Sequence, residues 1–157
     1  MLRIASFLLA VAGAAAACRT GGGAADGWDP AALASADALA GRIRRAGVTC
    51  DGWDVWDHDA IRRDYAGRLP VPAAMAACVG PDGEDLTFEV FADRAARDAF
   101  MVTKMRHVCT TAASQRAAFP GLPFVEGDAW IIEPDDEATA RRLAEALGAS
   151  ARLATCP

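Results

Sequence analysis

Apolar and polar residues alternate most clearly in Leu86-Thr87-Phe88-Glu89-Val90-Phe91. Leu86, Phe88 and Val90 share one face of the strand this predicts, and Thr87, Glu89 and Phe91 share the other. A short apolar run, Met75 to Val79, precedes it. Gly80-Pro81-Asp82-Gly83 lies between and suits a hairpin turn, with proline presetting φ and the last glycine accepting a positive one. Asp93 then caps a helix that reaches to about Ala118. Its period places Ala96, Ala99, Phe100, Thr103 and His107 along one side, flanked by Val102, Met105 and Cys109. Arg94, Arg97, Lys104 and Arg106 are left to solvent. The unit reads as a hairpin under a helix, with its apolar positions used by packing.

The helical period recurs twice more. After Asp29-Pro30, a cap followed by proline in the first turn, Leu33, Ala36, Leu39, Ala40, Ile43 and Ala46 form a broad face that stops at Gly47. After Pro134-Asp135, Ala140, Leu143, Ala144 and Leu147 form a stripe that stops at Gly148. Asp136 and Glu137 stand in the first turn and Arg141 and Arg142 further along, as the helix dipole favours. Pro120-Gly121-Leu122-Pro123 is a breaker. Phe124 to Glu126 and Ala129 to Ile132 flank Gly127-Asp128, which fits a type II′ hairpin or, alternatively, one bulged strand. Val48-Thr49-Cys50 leads into a strand. The acidic stretch Asp51 to Asp59 ends in a short helix capped by Asp57 or Asp59, packed through Ile61 and Tyr65 and ended at Gly67. The tail to Pro157 has little pattern. The order α-β-β-β-α-β-(β)-α predicts an α+β two-layer sandwich, a mainly antiparallel sheet with helices packed on one face.

The amino terminus has a different logic. A basic start at Arg3, the apolar run Ile4 to Val11 and small residues up to Ala17 form a signal peptide over 1–17, too short to span a bilayer. Cys18 stands where a bacterial lipobox places its acylated cysteine, with Ala15 where such motifs carry Leu. Residues 18–28 then read as lipid-attachment cysteine and flexible, glycine-rich tether, and 29–157 as a single α+β domain. Two acyl chains on Cys18 would hold the chain to the membrane, since each buried CH₂ contributes roughly 0.8 kcal/mol. Cleavage after Ala17 by ordinary signal peptidase would instead give a secreted soluble protein.

Cysteine usage bears on that choice. The chain has 5 cysteines, an odd number for exported protein. With Cys18 set aside, four remain, and they allow three pairings. Cys50–Cys78 is preferred because both residues begin neighbouring strands, and Cys109–Cys156 follows as the remaining pair. The net charge of −5 becomes one unit more negative once Arg3 is removed. An acidic domain without a basic stripe is a poor partner for nucleic acid.

Few motifs carry chemistry. The sequence contains no Gly-x-Ser-x-Gly elbow, no Cys-x-x-Cys pair and no phosphate loop after a strand. Asp51 to Asp59 holds four acids and His58, but lacks the glycine and closing glutamate of a calcium loop. No metal, cofactor or catalytic residue is assigned. Trp53, Trp56 and Tyr65, beside those acids, are the candidate binding surface, against core packing as the alternative. A hydrolase using carboxylate or His chemistry, through His58 or His107, is the competing class.

Several segments in order resemble small uncharacterised lipoproteins and secreted proteins of actinobacteria. They are the signal with Cys18, the helix ending near Gly47, Cys50, and Cys78 before a hairpin. Val90-Phe91-Ala92-Asp93 with Arg97-Asp98-Ala99-Phe100, Gly127-Asp128-Ala129-Trp130-Ile131-Ile132, and Leu143-Ala144-Glu145-Ala146-Leu147-Gly148 complete the set. Cys109 and Cys156 lie outside that pattern. The resemblance implies no activity. The expectation is an extracytoplasmic, membrane-anchored lipoprotein domain with a binding or accessory role, its partner an envelope protein or small ligand.

Overall fold

The computed structural model describes residues 26–115 and 118–156. Residues 1–25, where the sequence suggests a signal peptide, the lipid-attachment Cys18 and most of a tether, lie outside the described residues. In chain order the elements are α1 (Pro30–Arg45), β1 (Asp51–Val55), α2 (His58–Tyr65), β2 (Ala74–Val79) and β3 (Asp85–Val90). Then follow α3 (Arg94–Ser114), β4 (Leu122–Glu126), β5 (Trp130–Glu133), α4 (Glu137–Leu147) and β6 (Ser150–Ala154).

Each of these helices starts at an aspartate whose carboxylate accepts backbone N–H groups of the first turn: Asp29, Asp57, Asp93 and Asp136. Such a cap is worth about 1 kcal/mol over alanine. Gly148 closes α4 in the left-handed conformation, φ 60°, which costs glycine nothing. α3 is shorter than its pattern suggests and stops at Ser114.

The six strands form one sheet in the order β1-β2-β3-β5-β4-β6, and every neighbouring pair is antiparallel. The β2–β3 hairpin turns at Gly80–Gly83, where the Gly83 N–H donates to the Gly80 carbonyl. β4 and β5 also form a hairpin, which resolves the earlier alternatives, but not through a type II′ turn. Gly127 is absent from the positive-φ glycines. Its requirement is steric instead: a Cβ there would overlap the Trp130 indole. The tail is ordered as β6, paired with β4 from Leu122↔Ala154 to Glu126↔Ser150.

The α+β class and the antiparallel sheet are as the sequence predicts, and the element order broadly so. The layering differs, because the helices divide between the two faces instead of gathering on one. α1 and α4 cover the first face, where Ala36, Leu39, Ile43, Leu143 and Leu147 pack on Cys78, Leu86, Phe88, Val90, Val125 and Ile132. α2 and α3 cover the second, where Ile61, Tyr65 and Phe100 pack on Met75, Phe91, Phe124 and Ile131. The sequence hides this because Thr87 and Glu89 make the second face of β3 look solvated, yet Glu89 is buried.

Two disulfides are present, Cys50–Cys78 and Cys109–Cys156. The first is sealed in the core of the first face, both cysteines 1% exposed. The second joins α3 to the residues after β6 and is half-buried. Such bridges belong to an oxidising, extracytoplasmic environment. Among the described residues no helix is long and apolar enough to cross a membrane.

Candidate functional site

The inward side of α3 is not the one its apolar residues predict. Val102 is 59% exposed, while Arg97 is only 7% exposed. Arg97, Phe100 and Lys104 follow one another at spacings of three and four residues, and it is this stripe that faces the sheet. Phe100 is fully buried, between Phe91 and Tyr65.

Lys104, the chain's one lysine, enters a buried polar cluster. Its ammonium is held by both oxygens of Glu133 on β5, at 2.5 and 2.6 Å. It lies 3.5 Å from Oε1 of Glu89 on β3 and 5.3 Å from the centre of the Phe100 ring. Glu89 has no exposed surface, and neither of its oxygens is in a hydrogen bond of good geometry with a donor. Strand alternation explains how it came there. Glu89 sits opposite Met75 on β2 and Ile131 on β5, so it points up beneath α3. Tyr65, on α2, closes the cluster, and its hydroxyl donates to the Met75 sulfur at 3.7 Å.

One cation faces two carboxyls in a dry place. Burial, and then the charge of Glu133, push Glu89 up to about 8, against the pull of Lys104. Burial works against the Lys104 charge, but Glu133 and Glu89 outweigh it and hold the ammonium above its ordinary value. Burial, followed by Glu89, raises the Tyr65 hydroxyl far above its usual range. At neutral pH Lys104 is therefore an ammonium, Tyr65 a neutral phenol, and Glu89 a carboxyl that keeps its proton.

A second polar line runs along the start of α3. Arg94 bonds Asp128 at 2.5 and 2.8 Å. Arg97 bonds Asp98 at 2.6 Å, donates to the Gly127 carbonyl and lies 3.8 Å from Glu126. Glu126 in turn holds Arg152 of β6 at 2.5 Å. These contacts fasten the first turns of α3 to the β4–β5 hairpin.

Trp53, Trp56 and Tyr65 do not share one exposed face. Trp53 packs edge-on against Phe88 in the first core. Trp56 borders the second core, and its carbonyl accepts the Trp28 indole N–H at 2.7 Å. Tyr65 is buried. His58 stacks edge-on with Trp28 at 4.6 Å and lies 3.5 Å from Asp59, while His107 is on α3.

Among the described residues, one acidic group has oxygens close enough for a shared cation: Asp82, Glu84 and Asp136, within 4.8 Å of one another and without a histidine. Each has a local partner. Asp82 faces Arg142 at 3.7 Å, Glu84 accepts the Asp82 N–H, and Asp136 caps α4. Burial and the neighbouring Glu84, Asp85 and Asp136 raise Asp135 beside them.

Two shallow hollows lie elsewhere, one of about 270 Å³ along Arg44 and Gly47 to Asp51, another of about 160 Å³ between α4 and β6. Neither borders Glu89 or a histidine. The Lys104 cluster was beyond sequence reasoning because charged helix residues are assigned to solvent. The usable signal was the pairing of a lone lysine on a helix with an acid inside an otherwise apolar strand. Comparison of the chain with family models, with curated proteins and with solved structures gives no match in any of the three.

Proposed function

We propose that the protein is an extracytoplasmic domain held at the membrane surface by lipid on Cys18, with a binding or accessory role and no catalysis of its own. Cysteine pairing carries this reading. The two bridges use Cys50, Cys78, Cys109 and Cys156, and the fifth cysteine of the chain is Cys18. Its position after a run of small residues fits acylation, and the resemblance to small lipoproteins and secreted proteins of actinobacteria fits an extracytoplasmic place. The partner would be an envelope protein or a small ligand.

Glu89, the acid of the buried cluster, is closed beneath α3 and out of reach of a substrate. Intact mass of the mature protein taken from its native membrane tests the anchor. A chain starting at Cys18 and carrying acyl groups, both lost in Cys18→Ala, is the expected result. An unmodified chain released to the medium would refute it.

A further inference from the structure

The polar cluster joins a rigid strand to the middle of a helix whose other polar fastenings lie towards its ends. Glu89 lies on β3, bonded on both sides by β2 and β5, so its backbone cannot move without breaking the sheet. Lys104 lies in the middle of α3. That helix is fastened at its start by Arg94 and Arg97 and towards its end by the Cys109–Cys156 bridge. Between those fastenings, its deeply buried apolar contact is Phe100.

We propose that Glu89, Glu133 and Lys104 form a proton-operated latch between α3 and the sheet: one proton shared by the two carboxyls seats the helix, and its loss to solvent lifts the helix's middle. The charge count requires this. With the proton in place, one ammonium balances one carboxylate. Without it, two carboxylates, that of Glu89 fully buried, share one ammonium already engaged by both oxygens of Glu133. Among the described residues, Lys104 is the cation that acts on Glu89. α2 presents Tyr65 and, further off, Asp64; β5 presents Glu133; β2 presents Met75. An unpaired buried charge is relieved by admitting water. Glu89 is held in the sheet, so water reaches it when the helix above it moves.

Amide hydrogen exchange of the oxidised protein between pH 6 and 9.5, corrected for intrinsic rates, tests the latch. The opening equilibrium of amides from Phe100 to His107 should rise about tenfold per pH unit from pH 6 towards pH 8, where opening releases the proton, and level off above it. Amides of α1 over the apolar face should stay flat. Glu89→Gln, neutral at every pH, should abolish the rise. Glu133→Gln, which leaves one carboxyl per lysine, should abolish it too. A flat wild type, an equal rise in α1, or a rise surviving in both variants would overturn the proposal. Should both variants fail to fold, carboxyl-carbon NMR of the wild type decides. A glutamate titrating in step with α3 opening supports the latch, and all carboxyls titrating below pH 6 sink it.

Discussion

Two faces of one sheet are built here on opposite principles. Beneath α1 and α4 the core is alanine, leucine, isoleucine and phenylalanine around the sealed Cys50–Cys78 bridge. Beneath α2 and α3 the core is aromatic, and it shares its space with Glu89, Lys104, Glu133 and Arg97. The first face is held by area removed from water and carries no buried ionisable group among its packed residues. The second depends on protonation and on partners being present. Burying a charged network is not a cheap route to stability, and swapping one for apolar residues is often neutral or better. What it provides on the second face is a single seating for α3, whose apolar residues alone are too few and too scattered to fix its rotation.

The sharpest contrast between the faces comes from two substitutions of similar expected size. Phe88→Ala, in the first core, should cost about 3–5 kcal/mol by urea unfolding. Because that loss is apolar, its cost should be the same at pH 5 and pH 8. Lys104→Met, on the second, should also cost about 3–5 kcal/mol near neutrality, since it strands buried carboxyls. Its cost should shrink as pH falls and those carboxyls take up protons. Equal pH profiles for the two variants would collapse the distinction.

The pH dependence of the wild type follows from Glu89. Its folded value is raised to about 8 from 4.5. The native state thus binds a proton that the unfolded chain releases. The contribution is fully present below pH 4.5 and is lost as pH rises through 8. Unfolding free energy should therefore decline across that window, and Glu89→Gln should flatten the decline.

Removing the bridges separates the faces by location. Each is expected to contribute about 2–4 kcal/mol. Loss of Cys50–Cys78, as the double alanine variant, should lower global stability. Loss of Cys109–Cys156 should show chiefly as faster amide exchange at the end of α3 and in β6, because it ties those peripheral parts to each other. Uniform loosening in both variants would argue against two separately held faces. The smallest effect tests the caps: Asp136→Ala should cost about 1 kcal/mol. Backbone and side-chain bonds from Thr139 hold the Asp136 carboxyl below its usual range. Its contribution is present above the unfolded value and vanishes as pH falls through the folded one.

Much of the fold was legible because it is encoded locally. Asp29 and Asp93 are read as caps from their neighbours. Gly47 and Gly148 are read as stops, and the alternation in β3 as a strand. The buried stripe of α4 was visible as Ala140, Leu143, Ala144 and Leu147. β6 was not legible, because Ser150 to Ala154 has neither period nor strong β-formers, and its strand exists through pairing with β4. The rotation of α3 was misread for a related reason. Val102 is apolar and Lys104 charged, so local reasoning sends the first inward and the second out. The structure reverses them, since a buried glutamate on the facing strand gives Lys104 a partner and Val102 has none to displace it.

The sequence by itself determined most of the elements, the caps at Asp29 and Asp93, the stops at Gly47 and Gly148, the antiparallel α+β class and the preferred cysteine pairs. These depend on residues close together in the chain, or on a pairing that neighbouring strands impose. Tertiary structure alone decided that helices cover both faces, that the aromatic residues separate, and that Glu89, Glu133, Lys104 and Tyr65 meet. Those outcomes depend on which surfaces come into contact once the sheet forms. A charge's cost or benefit is set by the partner it finds there, and that partner is remote in sequence.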